Sequence, residues 1–206
     1  MNHTYKVRTE IRPQALQGLS ENLLAQHWAL YEGYVRNVNI LREKLDALSA
    51  KGDFGPEFSE LTRRLGFEFN GMVLHERYFS VMKAGQAPLA EGSELMKQLK
   101  KRFGGFDAWK REFSGMGKMR GIGWVVLYYD PSADVMSNYW INLHEDGHPA
   151  GCVPVLAMDV WEHAYVLEYG AAGRAQYIEA FFKNVDWARV ESEFKAAVGV
   201  AASSVR

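Results

Sequence analysis

Cysteine is almost absent from this chain: Cys152 is the only one among 206 residues. An intramolecular disulfide is thereby excluded, and so is a zinc site built on thiolates. An excess of charge of either sign is missing too. Lys and Arg number 24 against 25 Asp and Glu, a formal net charge of −1. Nothing in that balance supplies the basic face or tail that a nucleic-acid or membrane-surface partner requires. Charge runs are short, and Lys100-Lys101-Arg102 reads as the solvated face of a helix. No stretch reaches the roughly 18 uninterrupted apolar residues of a membrane span, and Met1-Asn2-His3-Thr4-Tyr5-Lys6 holds no apolar leader core. A cytoplasmic protein without nucleic-acid or membrane partners is therefore expected. What is present, 48% hydrophobic and 24% charged residues, suffices for an ordinary globular core in one or two small domains.

From Pro13 to about Leu48, apolar residues recur at helical spacing: Leu16, Leu19, Leu23, Leu30, Tyr34, Val38, Leu41, Leu45 and Leu48. That predicts a long amphipathic helix, with Ser20 as an early cap or break. Lys51-Gly52-Asp53-Phe54-Gly55-Pro56 reads as a turn, because two glycines and a proline do not continue a helix. A second stripe follows at Phe58, Leu61, Leu65, Met72 and Phe79. Two long helices joined by a short turn pack as an antiparallel hairpin. Ala84-Gly85-Gln86-Ala87-Pro88 then divides the chain into a hairpin domain, 1–87, and an α/β domain, 88–206. In the second domain the pattern predicts helices over Ser93–Phe103 and from Phe106 to about Lys118, split by Gly104-Gly105. Strands are expected over Trp124–Tyr129, Met136–Leu143 and Val153–Met158. Helical segments around Val160–Tyr169, Arg174–Phe182 and Val190–Val198 close the chain. The fold class is α+β.

Six histidines are present, at positions 3, 27, 75, 144, 148 and 163. The midpoint between His27 and His75 is position 51, the start of the expected turn. In an antiparallel hairpin, residues equidistant from the turn stand at about the same height. His27 lies four after Leu23, and His75 lies three after Met72, so both face inward. That placement suits a shared site; it also suits two unrelated core histidines, each bonded to a carbonyl. A second cluster is Asp159-Val160-Trp161-Glu162-His163, whose acid and imidazole stand one helical turn apart at the end of the third strand. Its alternative is an N-cap aspartate with an incidental histidine. Together the two clusters offer three imidazoles, one carboxylate and no thiolate. Such a set suits iron or manganese, and its donor types are also compatible with zinc.

Asp159-Val160-Trp161-Glu162-His163-Ala164-Tyr165 resembles the signature of the iron/manganese superoxide dismutase family. Gly121-Ile122-Gly123-Trp124 resembles the family's glycine-rich lead-in to its first strand, and Tyr34-Val35-Arg36-Asn37-Val38-Asn39 its first helix. Arg174-Ala175-Gln176-Tyr177-Ile178 through Val185-Asp186-Trp187 resembles its C-terminal helical region. The resemblance spans essentially the whole chain. It implies a helical hairpin followed by a three-stranded antiparallel sheet with flanking helices, and an oxidoreductase that turns superoxide into dioxygen and hydrogen peroxide. It further implies one iron or manganese ion per subunit, held by His27, His75, Asp159 and His163. Trp124 and Trp161 would wall the site. His144, fifteen residues before Asp159, falls where some members carry a histidine and others a glutamine that bonds the metal's solvent ligand. Gly71 stands where many iron enzymes carry that glutamine instead. Tyr34 or Tyr31 would supply the catalytic hydroxyl at the gate, and Arg174 a positive field for the anionic substrate. Glu162 is expected to reach His163 of a second subunit, making a homodimer, with Tyr165 beside it. His3 and His148 read as surface residues. A catalytically weak or inactive metal-binding or structural homologue of the same family is the rival reading.

The chain departs from the family in its gate. Tyr31 replaces a histidine four residues after the first ligand. The gateway tyrosine, Tyr34, follows His27 by seven residues instead of eight. Leu74, Phe79 and Val126 stand where the family has an asparagine and two tryptophans. Anchoring on Tyr34-Val35-Arg36-Asn37 puts Gln26 at the first ligand position, whereas anchoring on Ser20 puts His27 there. An imidazole is much the better ligand, so His27 is expected, with a local bulge absorbing the mismatch.

Overall fold

The computed structural model describes residues 3–204, and the side chains of residues 3–199. The ends of the two expected domains, residues 1–2 and 205–206, lie outside the described residues. The first long helix, α1, runs Glu21–Ala50. Ser20 is its N-cap, its hydroxyl accepting from the Leu23 backbone N–H at 3.2 Å. The helix begins later than the apolar spacing predicts. Between Pro13 and Leu19 the chain visits left-handed conformations at Ala15 (φ 51°) and Gly18 (φ 74°), which no α-helix accommodates. That segment is fixed from far away: Gln17 exchanges hydrogen bonds of 2.8 Å with the Asn184 side chain. The turn falls at Lys51-Gly52, with Gly52 at φ 69°. Helix α2, Pro56–Ser80, returns alongside α1 with Pro56 in its first turn, where its missing N–H costs nothing. The buried face of α1 is Leu23, Leu24, His27, Trp28, Tyr31, Val35, Val38 and Leu41, packed against Met72, Leu74, His75, Tyr78 and Phe79 of α2.

Helices α3 (Glu94–Phe103) and α4 (Phe106–Gly117) follow. Ser93 caps α3, and Gly104 (φ 84°) ends it. The sheet comprises β1 (Gly123–Asp130), β2 (Val135–Asn142) and β3 (Val153–Asp159) in the order β2-β1-β3, both pairings antiparallel. The continuous apolar run of β1 suits the central strand. Pro154, which has no ladder N–H to give, is confined to the edge strand β3, at the register shift opposite Leu127/Tyr128. The expected helix at Val160–Tyr169 is not one helix. Asp159 to Trp161 remain extended, Glu162–Ala164 form a 3-10 turn, and α5 covers only Val166–Tyr169. Helices α6 (Arg174–Lys183) and α7 (Trp187–Ser204) complete an α+β fold. No helix among the described residues is long and apolar enough to cross a membrane.

Candidate metal centre

The hairpin and the sheet end meet at four side chains. His27 comes from α1 and His75 from α2; Asp159 ends β3, and His163 lies in the 3-10 turn beyond it. One donor atom from each lies within 4.8 Å of all the others. His27 and His163 each bring Nε2 to 3.0 Å from Asp159 Oδ2, and His75 Nε2 lies 3.7 Å from the same oxygen. Asp159 is aimed from two sides. Its Oδ1 accepts from the Trp161 backbone N–H at 2.8 Å, which turns Oδ2 toward the imidazoles. On the sheet it stands opposite Trp124 of β1, so the carboxylate and the indole share one face. The extended backbone after Asp159, rather than a helical turn, carries His163 back over it.

The donor set fits a cation. His75 Nδ1 lies 2.6 Å from the Gly71 carbonyl; a carbonyl only accepts, so the proton sits on Nδ1 and Nε2 presents a lone pair. That Nε2 is buried and has no hydrogen-bond partner, an arrangement that costs about 1–3 kcal/mol unless something fills it. Burial, reinforced by His27, pushes the His75 pKa well below the usual histidine range, and burial likewise lowers that of His27. Burial alone would raise Asp159; His163 and His27 overcome it and hold the carboxyl below the usual range. An ionised carboxylate beside two buried imidazoles held neutral, with His163 completing the donor set, is a ready metal site.

Around the four donors stands a wall of rings. Trp124 meets His75 edge-on at 5.0 Å, and Phe79 meets His27 at 4.9 Å. Trp161 stacks on His163 at 5.6 Å and on His144 at 4.7 Å. Tyr34 lies 5.1 Å from His75, its hydroxyl 2.7 Å from His144 Nε2. Trp124 Nε1 donates to His144 Nδ1 at 3.0 Å. Burial pushes the His144 pKa down to about 4, so above that pH the ring is neutral. With Nδ1 accepting, Nε2 carries the proton and donates to the Tyr34 oxygen, leaving the Tyr34 O–H free to donate onward. Gly71 makes room for this ring: a Cβ there would stand 2.7 Å from the Tyr34 Cδ1.

Several expectations meet a different arrangement. Helix α1 shows no bulge between His27 and Tyr34. Seven residues of regular helix turn through about 700°, about 20° short of two full turns, so the shortened spacing itself puts both side chains on one face. Gln26 is exposed and bonds Asn22. Tyr31 does not reach the gate; its hydroxyl donates to Glu76 at 2.9 Å and accepts from the Arg8 N–H at 3.0 Å. The guanidinium of Arg174 is not free: it donates to the Gly121 carbonyl at 2.7 Å, to that of Met119, and to the Tyr165 hydroxyl at 3.2 Å. It therefore braces the lead-in to β1. Glu162 is exposed on the described surface. His148 is half-buried, with both ring nitrogens bonded, whereas His3 is exposed. Phe67, absent from the sequence reading, lies 4.6 Å from His144 and 6.2 Å from Tyr34. The signal was available: Phe67, Gly71, His75 and Phe79 recur every fourth residue along α2.

A family profile described as iron/manganese superoxide dismutases, C-terminal domain, matches residues 91–193. Superoxide dismutase [Fe] of Cupriavidus metallidurans is 36% identical over 190 residues, covering 90% of this chain and 93% of the relative. The chain belongs to the iron/manganese superoxide dismutase family. Superoxide dismutase [Mn] of Haloarcula marismortui is 34% identical over 181 residues, 87% of each chain. Superoxide dismutase [Fe] of Aquifex pyrophilus is 32% identical over 204 residues, 95% of this chain and 93% of the relative. Family members named for iron and for manganese both stand at this distance, as a donor set of three imidazoles and one carboxylate allows.

Proposed function

We propose that this chain is a superoxide dismutase, with His27, His75, Asp159 and His163 holding one iron or manganese ion. The convergence of those four donors within 4.8 Å of one another, with the bare, buried His75 Nε2 among them, carries the reading. It also counts against a purely structural homologue that holds no metal, which has no use for an unpartnered buried lone pair. The bound ion would supply a one-electron couple between its +3 and +2 states. Two superoxide anions and two protons give one dioxygen and one hydrogen peroxide. The chain's own groups handle the protons and the water. Trp124, Trp161, Phe67 and Phe79 keep bulk solvent from the donors, and Tyr34, whose oxygen already accepts from His144, offers its hydroxyl proton to an incoming anion. Burial raises the Tyr34 pKa, so the phenol stays protonated through neutral pH. Removing the metal should abolish superoxide consumption, and refilling with iron or manganese should restore it with at least one of them. Failure of both to restore turnover in folded protein would contradict the proposal.

The same reading includes a homodimer. Leu23, Gln26, Leu30, Glu162, His163, Val166 and Leu167 line one shallow depression; within it Leu30 is 40% and Leu167 51% exposed. Glu162 beside His163 in that apolar setting suits a reciprocal contact across a two-fold axis. Sedimentation at micromolar concentration is expected to show a dimer, weakened by Glu162→Ala. A fully active monomer would exclude it. The division at residues 87 and 88 into a hairpin and an α/β domain belongs to this proposal. So does a cytoplasmic location, consistent with the single free cysteine, Cys152.

A further inference from the structure

Strand β1 presents Trp124 and Tyr128 four residues apart, on one face. The segment after β2 presents His144 and His148 at the same spacing. The two pairs match: Trp124 Nε1 bonds His144 Nδ1 at 3.0 Å, and the Tyr128 hydroxyl bonds His148 Nδ1 at 2.6 Å. His148 Nε2 lies 2.8 Å from the His144 carbonyl oxygen. A carbonyl only accepts, so His148 carries its proton on Nε2, and its Nδ1 accepts from the Tyr128 O–H. Both histidines are thus held as the Nε2–H tautomer by a β1 side chain that donates to Nδ1. We propose that His148 and Tyr128 are positioning residues that lock the turn carrying His144, and through it set the hydrogen bond from His144 to Tyr34.

The turn needs locking. Leu143 is left-handed, at φ 53°, a conformation that costs a residue with a Cβ about 1–2 kcal/mol. Gly147, at φ 101°, sits where a Cβ would meet the Trp140 carbonyl oxygen at 2.7 Å. Asn142 and Asp146 exchange backbone hydrogen bonds of 2.8 and 3.2 Å, and Trp161 Nε1 holds the Leu143 carbonyl at 3.2 Å. Such a turn persists where its surroundings over-determine it. The His148 bond is the side-chain contact to the backbone of His144 itself. Lose it, and the imidazole height against Tyr34 is set only from the ring end.

The inference rests on the dismutase reading for the roles of Tyr34 and His144, so its test has an arm that needs no turnover. In the metal-free protein, long-range proton–nitrogen NMR should show His144 and His148 both protonated at Nε2. His148→Leu and Tyr128→Phe should shift or broaden the His144 Nε2–H resonance. In the metal-loaded protein they should lower turnover per bound metal about tenfold, with metal content kept. His148→Gln, whose amide can donate to the same carbonyl, should return both readings toward wild type. An unchanged resonance and turnover in both variants overturns the proposal, as does loss in His148→Leu that His148→Gln does not rescue. If His148→Leu fails to fold, Tyr128→Phe decides, since it removes one hydroxyl and keeps the ring. Wild-type protein without turnover would sink the dismutase reading and leave the resonance to decide this one.

Discussion

His163→Ala should yield a folded protein that retains neither stoichiometric iron or manganese nor measurable superoxide turnover. Of the four donors His163 is the one to remove cleanly. Its side chain is 20% exposed, against 0–1% for the other three, so truncation opens the site to solvent and leaves little internal void. It lies in the 3-10 turn, outside the two hairpin helices. What it does supply is a nitrogen 3.0 Å from Asp159 Oδ2 and a ring stacked beneath Trp161. Outer hydrogen-bond partners of metal ligands already cost 10–100-fold when removed, and losing a ligand should exceed about 100-fold in metal retention. Elemental analysis beside far-ultraviolet circular dichroism measures both halves. Full metal content in the folded variant would show that the assignment of His163 is wrong.

His27→Ala should lose the metal as well, whereas Gln26→Ala should keep metal, fold and turnover. The two positions differ by about 100° around the helix, and they occupy opposite environments. His27 is buried, its Nε2 on Asp159 and its ring 5.0 Å from His75. Gln26 is exposed and touches Asn22. Truncating His27 also leaves a void among His75, Tyr78 and Phe79, so its melting temperature should fall. The metal comparison is therefore made at a temperature where both variants are folded. The opposite pattern, metal lost with Gln26→Ala and kept with His27→Ala, would place the family's spacing of eight residues back on this chain.

The features legible in the sequence are those set by neighbours along the chain. The glycines and proline of residues 51–56 marked the turn, and uniform helix rise then put His27 and His75 at one height across it. Ser20 stood out as a cap or break and Ser93 as a helix start, each through a hydrogen bond to the backbone three residues on. The apolar run at residues 124–129 marked a strand, and the Asp159–His163 string marked the end of the third. Illegible features depend on partners far away. Pro13–Leu19 has helical spacing, yet Asn184 holds it in another conformation. Tyr31 carries the right chemistry for a gate, but Arg8 and Glu76 claim its hydroxyl. Arg174 is spent on two carbonyls that no local pattern reveals. His148 read as a surface residue because Tyr128, its partner, lies across a strand connection. For Tyr31, Arg174 and His148 the side chain's chemistry was visible and its direction was not.

The proposed dismutase site requires four donor atoms to share one redox-active ion. Anomalous scattering from crystals of the metal-loaded protein, recorded on either side of the iron and manganese absorption edges, locates that ion. The expected result is one peak per chain, within coordination distance of His27 Nε2, His75 Nε2, His163 Nε2 and Asp159 Oδ2. A peak elsewhere, or none at this site in protein that consumes superoxide, would contradict it.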